Sequence, residues 1–202
     1  MNAADTAETI TLLCQKMKQA SHKYRMPRQD NPRLLEALLR LHPQFVLDEI
    51  LGDATIDPKN FFVDDSGVHE DDLLTQLPSE ALLSWGCVDP ANRFLRLAAA
   101  IVPFNRKSEV GEDLHWKPLA LEILAQAPDR IAVLNAFGSH FYPMSWSGSR
   151  ANAIMERHCL PKALLSHEDH TVAVWAKTQC EALEQMAEQE RRADRIQDER
   201  FE

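Results

Sequence analysis

Glycine is scarce in this chain, with six in 202 residues. Tight β-hairpins rely on glycine for backbone angles that other residues avoid, so the shortage argues against a fold made of many hairpins. Positive charge is also in deficit. Lys and Arg number 22 against 31 Asp and Glu, for a formal net charge of −9. A nucleic-acid binder replaces phosphate counterions with Lys and Arg, and an anionic membrane attracts the same residues. Neither partner is expected. The phosphate-loop pattern G-x-x-x-x-G-K-[ST] and the dinucleotide pattern G-x-G-x-x-G are both missing, so no cofactor is expected. The cysteines, Cys14, Cys87, Cys159 and Cys180, form no C-x-x-C pair and read as reduced thiols among apolar neighbours. No apolar run approaches the roughly 18 residues of a membrane span. Met1 to Thr11 carries acids and no basic region of the signal-peptide kind. The expected location is the cytoplasm.

Hydrophobic residues at 45% and charged residues at 26% are ordinary values for a folded domain. Proline supplies the punctuation. It suits the first turn of a helix, where its missing N–H costs nothing. Pro32, Pro43, Pro78, Pro90, Pro118, Pro128 and Pro161 each precede an apolar stretch with helical spacing. Asn31 and Asp89 stand before two of them as candidate N-caps. The pattern predicts helices over Thr6–Tyr24, Pro32–Leu41, Pro43–Leu51, Asp71–Trp85 with a kink or restart at Pro78, and Pro90–Val102. Further helices are predicted over Pro118–Gln126, Pro128–Phe137 and Ser149–Leu165, with a last one from near Glu168 toward the C-terminus. An acidic insert, residues 52–72, interrupts them, and its Phe61-Phe62-Val63 is expected to pack back on the helices. Trp85, Trp116 and Trp175 lie on apolar helical faces or at helix starts and are expected in the core. The expected fold class is all-α, with stacked antiparallel helix pairs in one domain over residues 1–187 and a charged helical extension over 188–202.

Helix pairs begin at Pro32, Pro78, Pro118 and Ser149, at intervals of 46, 40 and 31 residues. Asp89-Pro-Ala-Asn-Arg93 leads into a small-residue face ending at Ala98, and 80 residues later Asp169-His-Thr-Val172 leads to Trp175-Ala176. Over about residues 32–187 this organisation resembles HEAT helical repeats, which recur at roughly 40 to 47 residues. The resemblance implies an α-solenoid or an irregular helical array, and a binding surface more often than an active site. The segment Pro143-Met-Ser-Trp146-Ser-Gly-Ser149, with Glu156-Arg157 and the charged end Asp198–Glu202, also looks like the C-terminal helical tails of large uncharacterised bacterial proteins. Some of those are defence-associated, which would make the chain an accessory or regulatory piece of such a system.

Chemistry-bearing clusters are few. Asp57, Asn60, Asp64, Asp65, Glu70, Asp71 and Asp72 crowd the insert but miss EF-hand spacing, so a solvated loop is the simpler reading. His158, His167 and His170 are candidate metal ligands, with Cys159 and the acids nearby. They lack H-E-x-x-H spacing, and the alternative is a turn in which Asp169 or Glu168 caps the last helix. Ser145-Trp-Ser147-Gly-Ser149 lacks the strand that a serine elbow needs and reads as a turn. Phe141, Tyr142 and Trp146 bring three aromatics to one loop, either as a protein-binding hot spot or as rings closing the core. On the last helix, Glu188 and Arg192 are spaced to pair, and Arg192, Ile196 and Phe201 lie on an arm that could order against a partner or a second copy.

The function expected from these observations is non-catalytic: a helical-repeat module that binds a protein partner or itself. A metal-dependent enzyme using His158, His167 and His170 is the reading from a different class.

Overall fold

A computed structural model describes residues 3–24, 32–62, 73–105, 114–143 and 146–198. The fold is all-α, with no strand among the described residues. The helices are α1 (Ala3–Tyr24), α2 (Pro32–Leu41), α3 (Pro43–Val46), α4 (Lys59–Phe62), α5 (Ser79–Val88) and α6 (Pro90–Ala100). They continue with α7 (Pro118–Gln126), α8 (Arg130–Gly138), α9 (Arg150–Arg157), α10 (Cys159–Lys162) and α11 (His170–Asp198).

Pro32, Pro43, Pro90 and Pro118 each open a helix, as the missing N–H allows. Pro78 divides a short 3-10 turn, Leu73–Gln76, from α5, so it acts as a restart. One expected cap and one expected start are corrected. Asp89 stands at the N-cap of α6, but its carboxylate takes the side-chain amide of Asn92 at 2.8 Å rather than a backbone N–H. Pro128 does not begin α8; Asp129 does the capping, accepting from the Ala132 N–H at 2.9 Å.

The helix expected over Ser149–Leu165 is also corrected: it breaks at His158 into α9 and α10. Pro161 is the reason. In a continuous helix its ring would meet the carbonyl of Arg157, and its missing N–H would leave that carbonyl unpaired. Restarting at Cys159 places Pro161 within a first turn.

α3 runs into a π-helical turn, Leu47–Leu51, closed by the Gly52 N–H donating to the Leu47 carbonyl at 2.9 Å. A Cβ on Gly52 would lie 2.2 Å from the Asp48 carbonyl oxygen, so this closure requires glycine. The turn leaves carbonyls without helical partners, and cations from two other helices take them. Arg96 of α6 donates to Leu51 O at 2.7 Å and Asp53 O at 2.6 Å, and Lys18 of α1 donates to Glu49 O at 2.8 Å. Both also meet the negative end of the helix dipole.

The helices pack in two rows. In one, α3 lies against α5 and α5 against α7. In the other, the π turn lies against α6, α6 against α8, and α8 against α11. Within pairs, α5 packs on α6, α7 on α8, and α9 and α10 on α11. α1 closes one end by burying Ile10, Cys14 and Met17, spaced as one helical stripe, against α3 and the π turn.

The expected core tryptophans are buried, and each indole N–H crosses to another helical layer. Trp85 donates to Asp48 Oδ1, Trp116 to the Leu160 carbonyl and Trp175 to Asn135 Oδ1, all at 2.8 Å. A buried indole needs such a partner. Phe104 and Trp116 form an isolated antiparallel bridge, flanked by the Asn105 N–H donating to the His115 carbonyl at 3.0 Å and the Lys117 N–H donating to the Pro103 carbonyl at 2.9 Å. Phe62 is fully buried; the side chain of Phe61 and the residues 63–72 lie outside the described residues.

Candidate interaction surface

Three helices of one row turn the same kind of surface to solvent. On α6 the unburied positions Asn92, Leu95 and Ala99 are spaced i, i+3, i+7. On α8 and the 3-10 turn that extends it (Ser139–Phe141), Ala132, Asn135 and Ser139 repeat the spacing 40 residues later. On α11, Thr171, Val174 and Thr178 repeat it once more. That spacing defines one helix face, and α8 lies between and against the other two helices. None of the nine residues is charged, in a chain where 26% of residues are. Leu95 and Val174 are 38% and 49% exposed.

The charged side chains of α6 and α8 are directed elsewhere, whereas on α11 the exposed Lys177 and Glu181, paired at 4.0 Å, stand at i+3 and i+7 from Val174 on the same side of the helix. Arg93 pairs with Asp48 at 2.9 Å and covers the Trp85 ring, while Arg96 reaches the π turn. Arg130 spans to the cap of α11, meeting Asp169 Oδ2 at 2.6 Å. Asp169 also accepts from the Thr171 N–H and hydroxyl at 2.9 and 2.7 Å. The Thr171 hydroxyl first, with Arg130 and the Thr171 N–H, holds the Asp169 carboxyl down at about 2. Lys59 of α4 reaches the hydroxyl of Ser139 at 2.6 Å, at one margin of the face.

Asp129 stands midway between Asp89 and Asp169, 40 residues from each, an interval that a helix start at Pro128 obscures.

The loop before α9 and the foot of the C-terminal arm form a second, smaller surface. Trp146 is 46% exposed, with the Arg150 guanidinium 4.8 Å from its ring centroid. Arg150 in turn meets Glu190 Oε1 of α11 at 2.7 Å. Gly148, at φ 79°, makes the turn between them. The aromatic loop is therefore split. Phe141 is fully buried, edge-on to Trp116 and Trp175, and is corrected from surface candidate to core. Tyr142 is half-buried against that core.

On the arm, Glu188 receives Arg192 at 3.1 Å, the expected pair, with Arg195 at 3.5 Å and Arg191 at 3.9 Å. Arg192 first among these depresses the Glu188 carboxyl. Residues 191–196 are exposed, Ile196 by 54%. Phe201 lies outside the described residues.

The three histidines do not converge. His167 Nδ1 accepts from the Asp169 N–H at 3.0 Å within the turn. His158 Nε2 lies 3.0 Å from Glu184 Oε1, at ion-pair distance without hydrogen-bond alignment. His170 is exposed on the first turn of α11. Among the described residues no three His, Cys, Asp or Glu side chains gather as metal ligands, so this ligand set is corrected. Cys159 instead donates to the carbonyls of Leu114 and Glu156 at 3.2 Å each. All four cysteines are free thiols. No described helix is long and apolar enough to cross a membrane.

No family model, curated protein or solved structure matches the chain.

Proposed function

We propose that this chain is a helical-repeat module that binds a protein partner across the α6–α8–α11 face. The observation that carries the reading is the row of uncharged, unburied residues on α6 and α8 (Asn92, Leu95, Ala99, Ala132, Asn135 and Ser139), continued on α11 by Thr171, Val174 and Thr178 beside the Lys177–Glu181 pair. Solvent-facing helix positions are ordinarily rich in charge. Covering uncharged, small side chains avoids the cost of desolvating unpaired charges.

The repeat organisation supports the same reading. Layer-to-layer bonds recur at similar sequence separations: 39 residues for Arg130–Asp169, 40 for Trp175–Asn135 and 37 for Trp85–Asp48. Stacked repeats contact mainly their neighbours and present extended surfaces suited to partners.

The test uses the full chain bearing an affinity tag and a photo-crosslinker on Ser139, compared with the doubly substituted Leu95→Asp, Val174→Asp form. Both substituted positions are exposed, so the circular dichroism spectrum and melting temperature should hold. The crosslinked partner bands should disappear in the double variant. Identical bands from both proteins would sink the proposal.

A further inference from the structure

The charges on the second half of α11 are sorted by side and by sign. Val172, Ala176, Leu183 and Ala187 are buried and mark the side that faces the body. Glu190 and Asp194, three and seven residues on from Ala187, continue that side. Glu190 meets Arg150 there at 2.7 Å. The opposite side carries Glu181, Glu184, Glu188, Arg192 and Arg195, spaced three or four apart, with Arg191 beside them. This outer row is acidic toward the body and basic toward the end of the arm.

The two halves of the row are unevenly matched within one chain. Glu188 receives Arg192 at 3.1 Å, Arg195 at 3.5 Å and Arg191 at 3.9 Å, so three guanidiniums share one carboxylate. Among the described ion pairs Glu181 meets Lys177 at 4.0 Å and Glu184 meets His158 at 3.0 Å, yet these carboxylates stay 57% and 58% exposed. Cations crowd the end of the arm, and exposed carboxylates stand nearer the body.

We propose that this outer row pairs antiparallel with the same row of a second copy of the chain. Charge complementarity selects both the occupant and its direction. Reversing the row exchanges its acidic and basic halves, so two copies match in the isologous manner of a two-fold pair. A parallel pair would set Glu181 against Glu181 and Arg195 against Arg195, and like charges across an interface are costly.

An uncharged line fixes the register. Ala182, Gln185, Gln189, Ala193 and Ile196 follow one another at helical spacing beside the charged row. A two-fold axis at Gln189 sets Ala182 opposite Ile196 and Gln185 opposite Ala193. Small residues opposite Ile196, 54% exposed in one chain, let the helices approach. The same axis brings Glu181 and Glu184 within one helical turn of Arg195 and Arg192 of the second copy. Residues 182–196 then overlap for about 21 Å, at 1.5 Å per residue. Burial by the body ends at Ala187 on this helix, so the two bodies stand at opposite ends of the pair. Thr171, Val174 and Thr178 precede the overlap and stay available to the α6–α8–α11 surface. The line of Ala and Gln buries little apolar area, which leaves the ion pairs to decide association.

The test is sedimentation equilibrium of the full chain at low salt, with circular dichroism checking that each variant is folded. A dimer is expected at roughly 0.1 mM protein, the range of weak association. Its dissociation constant should rise about tenfold or more in about 1 M salt, where exposed charges are screened. Glu181→Arg with Glu184→Arg should give a monomer, and so should Arg192→Glu with Arg195→Glu. All four substitutions together restore opposite charges in the antiparallel pair and should restore the dimer. An equal mixture of the two double variants should also dimerise, which keeps the test decisive if the fourfold variant does not fold. A monomeric parent chain, a dimer that survives either double variant, or a folded fourfold variant that stays monomeric would overturn the proposal.

Discussion

Arg130 closes on the carboxylate of Asp169 at 2.6 Å, so the first residue of α8 secures the cap of α11, 39 residues away. Asp169 is held at about 2, below its ordinary 3.8. A carboxyl depressed on folding stabilises the native state above its unfolded value. That contribution is lost as pH falls through the folded one. The expected outcome is a stability loss between about pH 4 and pH 2 that is smaller in Asp169→Asn than in the parent. Asp53, also held at about 2 by Thr55 and Lys18, titrates in the same window, so the comparison must be between variants. Urea melts at pH 7 and pH 3 read it; equal pH dependence of both proteins would contradict the assignment.

Gly86 and Phe94 set the approach of α5 to α6. A Cβ on Gly86 would stand 2.4 Å from Phe94 Cε1, and both residues are buried. Gly86→Ala should destabilise by about 1–3 kcal/mol through overpacking, against the usual gain from Ala in a helix. Adding Phe94→Leu should recover part of the loss. A stabilised single variant in urea melts would show that the ring moves aside freely.

Arg96 closes the end of the π turn through two carbonyls, so its replacement should act on stability at a distance from its own helix. Burial lowers the Arg96 pKa from its ordinary value, while Asp53 and Asp57 oppose that. Arg96→Met retains the packing stem and leaves Leu51 O and Asp53 O without their donor. About 2–4 kcal/mol should be lost. Amide hydrogen exchange should accelerate at residues 47–53 more than in α8, and uniform acceleration would argue against a local role.

The four thiols should separate by reactivity. Cys87 is exposed; Cys14 is pushed up to about 11 by burial and by Glu49, and burial raises Cys180 as well. Thiolate, not thiol, is the nucleophile. Iodoacetamide at pH 8 should modify Cys87 first and reach Cys14 and Cys180 only in denaturant, as read by peptide mass spectrometry. Early labelling of Cys14 would mean that α1 detaches readily from α3.

The C-terminal arm should be dispensable for folding. Its last contact with another helix among the described ion pairs is Glu190 with Arg150, and residues 191–196 are exposed. Removing residues 191–202 should leave the melting temperature nearly unchanged. Light scattering of both forms should then show whether the arm assembles copies: a dimer that becomes a monomer on truncation assigns it that role, and equal masses deny it.

Local chemistry carried a large part of the fold. Pro32, Pro43, Pro90 and Pro118 marked helix starts because a missing N–H is harmless only in the first turn. Apolar residues at helical spacing placed Trp85, Trp116 and Trp175 in the core, and Glu188 with Arg192 on one side of a helix. These are properties of a few neighbouring residues and are written in the sequence. What lay beyond them needed contacts between segments some 40 residues apart. The sequence contained both Phe141 and Trp146, but only packing against Trp116 and Trp175 made the first a core residue and left the second exposed. It contained the triplets 92/95/99, 132/135/139 and 171/174/178, but helical periodicity alone does not say which side of a helix a neighbour will cover. The stacking of α6, α8 and α11 decided that, turning Arg93, Arg96 and Arg130 toward other layers and holding the Asn135 oxygen on the Trp175 indole.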